Sequence, residues 1–440
     1  MDFNLIIIGG GPGGEKNPAT YAASKGLTVL VVEKDELGGT CLNRGCIPTK
    51  TYARLAEVIE TMKDAGSYAL DGVSYSFDFA KAFVRKQQVV ETLRGGIATL
   101  LSASGITLVK GMAVMKDAHT VVVDGKDYSA DNIIIATGSV SKSLPIPNLD
   151  KEMVCDSDWL LDTDVLPKRI CIVGAGVIGM EFASILNSFG CEVTVVEFLK
   201  ECLPPIDSDI AKRLRKCLEK RGVTFYMQSA LKGAASGKVT FERKGKVTEV
   251  EADKVLLAVG RKPLTDGLGL DEMGIKYDAK GIAVDDNMLT SVENVYAIGD
   301  VNGRQMLAHA AEMQGKRAVN AIVGCGDDIR FDVMPAAVFT LPEAASVGKT
   351  EDALKAEGAD YRSIKHYYRS NGKAVAMNET EGMLKLLTDA GGKVVGCHVY
   401  GAHAADLVQE VSALMCQNIT VEKLDDITHI HPTLSEIIVG

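Results

Sequence analysis

Short continuous apolar runs, separated by stretches with helical spacing, dominate the chain. Residues 5–8, 27–32, 133–135, 170–173, 191–196, 255–259 and 295–298 are the runs, and each reads as a strand buried on both faces of a parallel sheet. Over 51–104 apolar residues return at helical intervals (Ala53, Ala56, Val58 and Ile59, then Phe79, Phe83, Val84 and Val89), which predicts helix. Helices are also expected at 180–189 and 306–323, and strands at 106–115 and 120–124. From about 334 the pattern changes: short strands at 338–339, 345–347, 383–387 and 394–399 suit an antiparallel sheet, with helices at 350–357 and 403–418. Leu407, Leu414 and Met415 of the last helix are read as interface or core.

Two of the apolar runs open onto glycine loops. Gly9-x-Gly11-x-x-Gly14 follows the first strand, and the next strand ends at Glu33. Gly174-x-Gly176-x-x-Gly179 follows a later strand, and its successor ends at Glu197. Glycines there let a pyrophosphate approach backbone amides at a helix start, and the acid can accept from a ribose hydroxyl. One such loop is a weak signal; two, each with flanking strands and an acid, imply two bound dinucleotides. Glu197 would repel a 2′-phosphate and only Lys200 follows it, so the second site is read as NAD rather than NADP. The fold class is therefore α/β, with two Rossmann-like dinucleotide-binding domains and a C-terminal α+β domain. The first loop runs into Glu15-Lys16-Asn17-Pro18. A proline inside a helix costs roughly 3 kcal/mol, so a late helix start or a kink is expected near Asn17–Pro18.

Composition narrows the chemistry. A net charge of −10 argues against a nucleic-acid partner. Ten cysteines in 440 residues are not a disulfide framework, and Cys171 and Cys191 read as small buried hydrophobes. The start lacks the basic region of a signal peptide and no apolar run has membrane-spanning length, so a cytoplasmic enzyme is expected. Cys41 and Cys46 differ from the other cysteines, lying in a glycine- and proline-punctuated stretch, residues 38–50. The bare C-x4-C spacing leaves two readings open, an inert pair of thiols or a reactive one. Pairing would need a bend, which Gly45 can supply; Pro48 suits the first turn of a following helix. Lys50 falls one turn beyond Cys46, where its ammonium would favour thiolate. His429 and His431 have no cysteine or carboxylate cluster at metal-ligand spacing, so no metal is expected.

The stretch 38–50, the two loops, Ala136-Thr137-Gly138-Ser139, Gly260-Arg261-Lys262-Pro263, Gly299-Asp300, Phe339-Thr340-x-Pro342-Glu343 and His429-x-His431-Pro432-Thr433-x-x-Glu436 together resemble the pyridine nucleotide-disulfide oxidoreductases. The likeness is strongest to members that oxidise dihydrolipoamide. It spans the whole chain and implies a homodimer with residues 1–145 as the first part of an FAD domain, 146–268 as an NAD domain, 269–333 completing the FAD site, and 334–440 as the dimer-interface domain. It implies that Cys41 and Cys46 form the redox disulfide. Cys41, taken as the more exposed, would exchange with substrate; Cys46 would lie against the flavin. His431 would be the acid/base lent to the other subunit, Glu436 its orienting carboxylate, and Glu181 the partner of Lys50. FAD would be held by Gly9, Gly11, Gly14, Glu33, Thr40, Lys50, Gly111, Thr137, Gly138, Ser139, Asp300, and by Met306, Leu307, Ala308 and His309 at a helix start. NAD would be held by Gly174, Gly176, Gly179, Glu197, Leu231 and Gly260. The implied substrate is a lipoyl-bearing protein or free dihydrolipoamide. The alternatives are a reductase for another small disulfide and a flavin-poor structural or binding subunit. The chain stops soon after Glu436, so a short final helix is expected.

Overall fold

The computed structural model describes every residue except Glu15, Lys16 and Asn17, and the chain divides into two compact units. The first comprises Met1–Thr51, Phe83–Lys142 and Gly260–Ile329. Its seven-stranded sheet is parallel through Thr107–Lys110, Val29–Glu33, Phe3–Ile8 and Lys126–Ile135, with Val295–Ala297 parallel beside Lys126–Ile135, while Thr120–Val123 and Ala113–Asp117 extend it antiparallel. Ile6, Leu30, Ile133 and Val295 are buried in one core, as expected for apolar runs covered on both faces. The run at 106–115 is two strands, Thr107–Lys110 and Ala113–Asp117, because Gly111 turns the chain at φ +156°. Gly111 also donates its N–H to the Glu33 carbonyl at 2.9 Å, which sets it beside the acid that ends the neighbouring strand.

The helix after the first loop bears partly on the irregularity expected there. Asn17 lies outside the described residues. Pro18 and Ala19 are π-helical, and the regular helix, Thr20–Ser24, starts late. Pro18 is buried against Gly315 of helix Ala308–Ile322.

The second unit comprises Tyr52–Ala82, Ser143–Val259 and Arg330–Gly440. It holds a parallel sheet in the order Thr224–Tyr226, Glu192–Val196, Arg169–Val173, Lys254–Leu257, Val154–Cys155. A separate antiparallel sheet runs Ala336–Val338, Glu343–Gly348, Val394–Gly401, Met383–Asp389, Tyr361–Tyr367. Helix Ala404–Cys416 packs on it through Leu407 and Met415, which are core residues of this unit, with Leu414 partly buried beside them. The stretch 51–104 is not one helix. It is Cys46–Lys63 and Phe79–Ala103, parted by an irregular segment in which Ala69 and Gly72 take left-handed backbone. After Glu436 the chain completes only the 3-10 turn Leu434–Ile438. Among the described residues no helix is long and apolar enough to cross a membrane.

Candidate active site

Cys41 lies in helix Gly39–Arg44 and Cys46 opens helix Cys46–Lys63. Gly45 breaks the two apart. A Cβ there would lie 2.8 Å from the Thr40 carbonyl oxygen, so only glycine lets the second helix fold back on the first. Pro48 sits in the first turn, where its missing N–H is not needed. Asn43 ties the segment down. Its amide donates to the Leu37 and Gly39 carbonyls at 2.9 Å, and its oxygen accepts from Arg94 Nη2 at 2.7 Å.

Both cysteines are thiols here, and the bend brings them into hydrogen-bond contact. That bond to Cys46, followed by burial, pushes the Cys41 pKa far up, with Lys50 acting weakly against it. The hydrogen bond and burial therefore favour the neutral thiol at Cys41. The expected order of exposure is reversed: Cys46 is exposed and Cys41 half-buried, because Cys41 lies within its helix while Cys46 heads the next.

This dithiol segment is docked on the first glycine loop. Gly38 N–H donates to the Gly10 carbonyl at 2.8 Å, and a Cβ on Gly39 would come within 2.8 Å of the Gly11 Cα. Glu33 closes the loop from the other side. One of its oxygens accepts from Gly10 N at 2.6 Å and the other from Asp35 N at 2.7 Å. The second loop repeats this arrangement, with Glu197 accepting from Ala175 N and from Leu199 N, each at 2.6 Å. In both loops the third glycine is obligatory: a Cβ would lie 1.8 Å from the Gly9 carbonyl oxygen at Gly14 and 2.0 Å from the Gly174 carbonyl oxygen at Gly179. By contrast, a Cβ at Gly176 would meet nothing, so the mouth of that loop is open. Two glycine cradles, each with a fixed carboxylate at its rim, fit two dinucleotides.

Asp300 is the second residue of a 3-10 turn, Gly299–Asn302, just after the returning strand. Gln314 holds that turn by accepting from Gly299 N and Asn302 Nδ2, both at 2.8 Å. Burial raises the Asp300 pKa, while a Ser139 hydrogen bond and the Arg261 charge oppose the rise. Thr137 Oγ1 donates to the Leu264 carbonyl at 2.8 Å and Gly138 accepts from Leu264 N, so the 136–139 turn and the 260–264 segment are joined. Met306 and Leu307 lead into helix Ala308–Ile322, with Leu307 as its extended cap, Ala308 first and His309 second. Thr40 is exposed at the start of the Cys41 helix.

In the second unit, Glu181 is 3 % exposed and accepts from the Phe339 N–H at 2.9 Å. The Leu231 side chain belongs to the core, leaving only its backbone for contacts. Gly260, in the first unit, accepts from Lys142 N. His431 Nδ1 is 2.9 Å from Glu436 Oε1, and the ring is 80 % exposed. The other Glu436 oxygen accepts from Thr433 N at 2.8 Å, within a reciprocal capping box. The Thr433 amide and then His431 hold the Glu436 pKa below the ordinary carboxylate range. His429 binds a different carboxylate, Glu410, at 3.0 Å, so the two imidazoles do not converge. Among the described residues no group of three or more candidate metal ligands stands together. Sequence reasoning missed Arg261 and Thr433 as site residues. The T-x-x-E spacing of a capping box was a readable signal for Thr433; for Arg261 only its place beside Gly260 was available.

Comparison with known proteins agrees along the whole chain. Residues 3–315 match the family model described as pyridine nucleotide-disulphide oxidoreductase, and residues 334–440 match that family's dimerisation domain. A dihydrolipoyl dehydrogenase of Mycobacterium tuberculosis (strain ATCC 25618 / H37Rv) is 38% identical, over 99% of this chain and 96% of the relative. One from Bacillus subtilis (strain 168) is also 38% identical, over 99% and 95%. Among solved structures, the HOCl-induced flavoprotein disulfide reductase RclA from Escherichia coli superposes with a TM-score of 0.87 at 29% identity, covering 98% of both chains. With two fixed glycine cradles, a hydrogen-bonded dithiol and a matched dimerisation domain, the chain belongs to the pyridine nucleotide-disulphide oxidoreductases.

Proposed function

We propose that this flavin-dependent disulfide oxidoreductase oxidises dihydrolipoyl groups with NAD⁺ through the Cys41–Cys46 pair. The observation that carries the reading is the dithiol itself, bent at Gly45 onto the first glycine loop, in a chain similar throughout to dihydrolipoyl dehydrogenases. Bound FAD would supply the two-electron carrier between the thiols and NAD⁺. The first loop, Glu33 and Asp300 would hold FAD; the second loop and Glu197 would hold NAD.

The chain's own residues account for the sulfur chemistry. Starting from the disulfide, a substrate thiolate attacks Cys41 Sγ, the S–S bond breaks, and Cys46 leaves as thiolate. Burial and its hydrogen bond favour Cys41 as a neutral thiol, so the Cys41 anion is the costlier one to expel. The second substrate thiol then displaces Cys41, closing the lipoyl disulfide. His431, oriented by Glu436, takes the proton of the first substrate thiol, passes it to Cys41 as that sulfur leaves, and takes the proton of the second thiol. A cytoplasmic location fits the cysteine usage.

The deciding experiment is NADH formation from free dihydrolipoamide. Wild type should turn over, and Cys46→Ser should lose at least about a hundredfold in kcat, since the leaving thiolate is gone. Equal rates would remove the thiol pair from the mechanism. If the purified protein carries FAD yet rejects dihydrolipoamide while reducing another disulfide with NADH, it is a reductase of a different substrate.

A further inference from the structure

Ser139, Arg261 and Asp300 come from three separate stretches of the first unit and form one directed chain of hydrogen bonds. Strand Ser139–Ser141 pairs antiparallel with Arg261–Pro263. Across this ribbon Arg261 Nη2 donates to the Ser139 carbonyl at 2.7 Å, and Arg261 Nε donates to Ser139 Oγ at 2.7 Å. Ser139 Oγ in turn donates to Asp300 Oδ2 at 2.5 Å.

The direction follows from chemistry. A guanidinium only donates, and a serine hydroxyl has one proton. With Nε–H aimed at its oxygen, Ser139 must accept from Arg261, which leaves its proton for Asp300. We propose that Arg261 is a positioning residue for the flavin: through Ser139 it pins one oxygen of Asp300 and presents the other, Oδ1, as an acceptor for a hydroxyl of the flavin's polyol chain. This rests on the reading of Asp300 as the polyol ligand. Burial alone would favour the neutral acid, which could donate where an acceptor is wanted; the nearby guanidinium works against that. The three residues are 7 % exposed (Ser139) or partly buried, so water does not replace the relay cheaply.

The competing view is that Arg261 merely braces the ribbon. The two are separated by FAD rebinding to stripped protein, followed by flavin fluorescence, for wild type, Arg261→Gln, Arg261→Lys, Ser139→Ala, Asp300→Asn and the double variant Arg261→Gln/Asp300→Asn. ADP serves as a competitor for the same site, because it has the adenosine diphosphate end of FAD and lacks the polyol. Arg261→Gln and Ser139→Ala should each raise the FAD dissociation constant roughly tenfold, the worth of one charge-assisted hydrogen bond. Arg261→Lys, which keeps charge but loses the fork, should fall between. The double variant should be no weaker than Asp300→Asn alone, since both act through one carboxylate. The ADP competition constant should not move. Wild-type affinity in Ser139→Ala, additive losses in the double variant, or a parallel loss of ADP binding would each overturn the proposal. Should Arg261→Gln fail to fold, Ser139→Ala, which removes a single oxygen, decides it. Failure of the wild type to bind FAD, or no effect of Asp300→Asn, would instead refute the underlying reading of the site.

Discussion

At the scale of single residues, the most informative contact is that of Pro18 with Gly315. A Cβ at position 315 would lie 2.1 Å from the proline Cγ and 3.3 Å from Ile298 Cδ1. The helix Ala308–Ile322 thus accommodates an irregular neighbour by omitting a side chain. Gly315→Ala should therefore destabilise by about 1–3 kcal/mol, despite the better helix propensity of alanine, because it overpacks a filled site. Denaturant unfolding of the two proteins measures this; a gain in stability would mean the proline ring moves aside freely. The departure at Pro18 was legible in the sequence, since a proline near the start of a helix announces itself locally. Its seat was not, because Gly315 is distant in the chain and marked by nothing in its own helix. The bend at Gly45 was likewise legible, being written within a few residues. The relative exposure of Cys41 and Cys46 was not, since it depends on where each falls within its own helix.

At the scale of elements, two helices of the second unit cap one another. Asp207, the cap of Ser208–Lys220, accepts from Glu351 N at 3.0 Å at the start of helix Glu351–Glu357. Asp352 of that second helix returns the favour, accepting from Ser208 N at 2.9 Å and from Ser208 Oγ at 2.8 Å. Lys385 lies between them, fully buried, with Nζ at 2.8 and 3.0 Å from the Asp207 oxygens and 2.5 Å from Glu351. Helix amides thus find carboxylates, and the carboxylates find a cation. Lys385→Met should cost about 3–5 kcal/mol, because it strands buried charge rather than merely deleting a bond. Equilibrium unfolding would contradict this if the variant matched wild type.

The same cluster has a pH signature. Desolvation pushes the Glu351 pKa up, but hydrogen bonds from Lys385, Lys355 and Tyr361 outweigh it and bring it down to about 2. A carboxylate with a depressed folded pKa stabilises above its unfolded value and loses that contribution as pH falls through the folded one. The stability difference between wild type and Glu351→Gln should be full at neutral pH and shrink steadily below about pH 4.5. A difference that stays constant from pH 7 to pH 3 would exclude ionisation of Glu351 as its source. In the sequence, 383–387 was readable as a strand from its apolar neighbours, yet the inward lysine was not, because its partners come from two other elements. Strand Tyr361–Tyr367 escaped for a related reason: its burial alternates weakly and Arg362, Lys365 and His366 hide any apolar run.

At the scale of the whole molecule, the C-terminal match to a dimerisation domain makes the working unit a homodimer. Within one chain His431 is 80 % exposed and its neighbour Ile430 79 % exposed, which suits a segment presented outward to a second protomer. If each site takes its thiols from one protomer and its imidazole from the other, inactive variants should complement. Mixing Cys46→Ser with His431→Gln protomers and reassociating them should restore about one quarter of wild-type turnover, since half the dimers are mixed and each mixed dimer has one intact site. No recovery despite verified mixed dimers would place the histidine and the thiols within one chain. The doubled loop-and-acid pattern was legible because each copy is local in sequence. That the strand Val295–Ala297 returns to the first sheet was visible only through family resemblance, since no local pattern says which sheet a strand will join.

The ribbon between Ser139–Ser141 and Arg261–Pro263 also has a topological consequence. The chain departs from the first unit at Lys142 and re-enters it at Gly260, and those two residues are hydrogen-bonded to each other at 3.0 Å. A module whose doorway in and doorway out adjoin can be acquired through a single splice into an ancestral gene without reordering the host sheet.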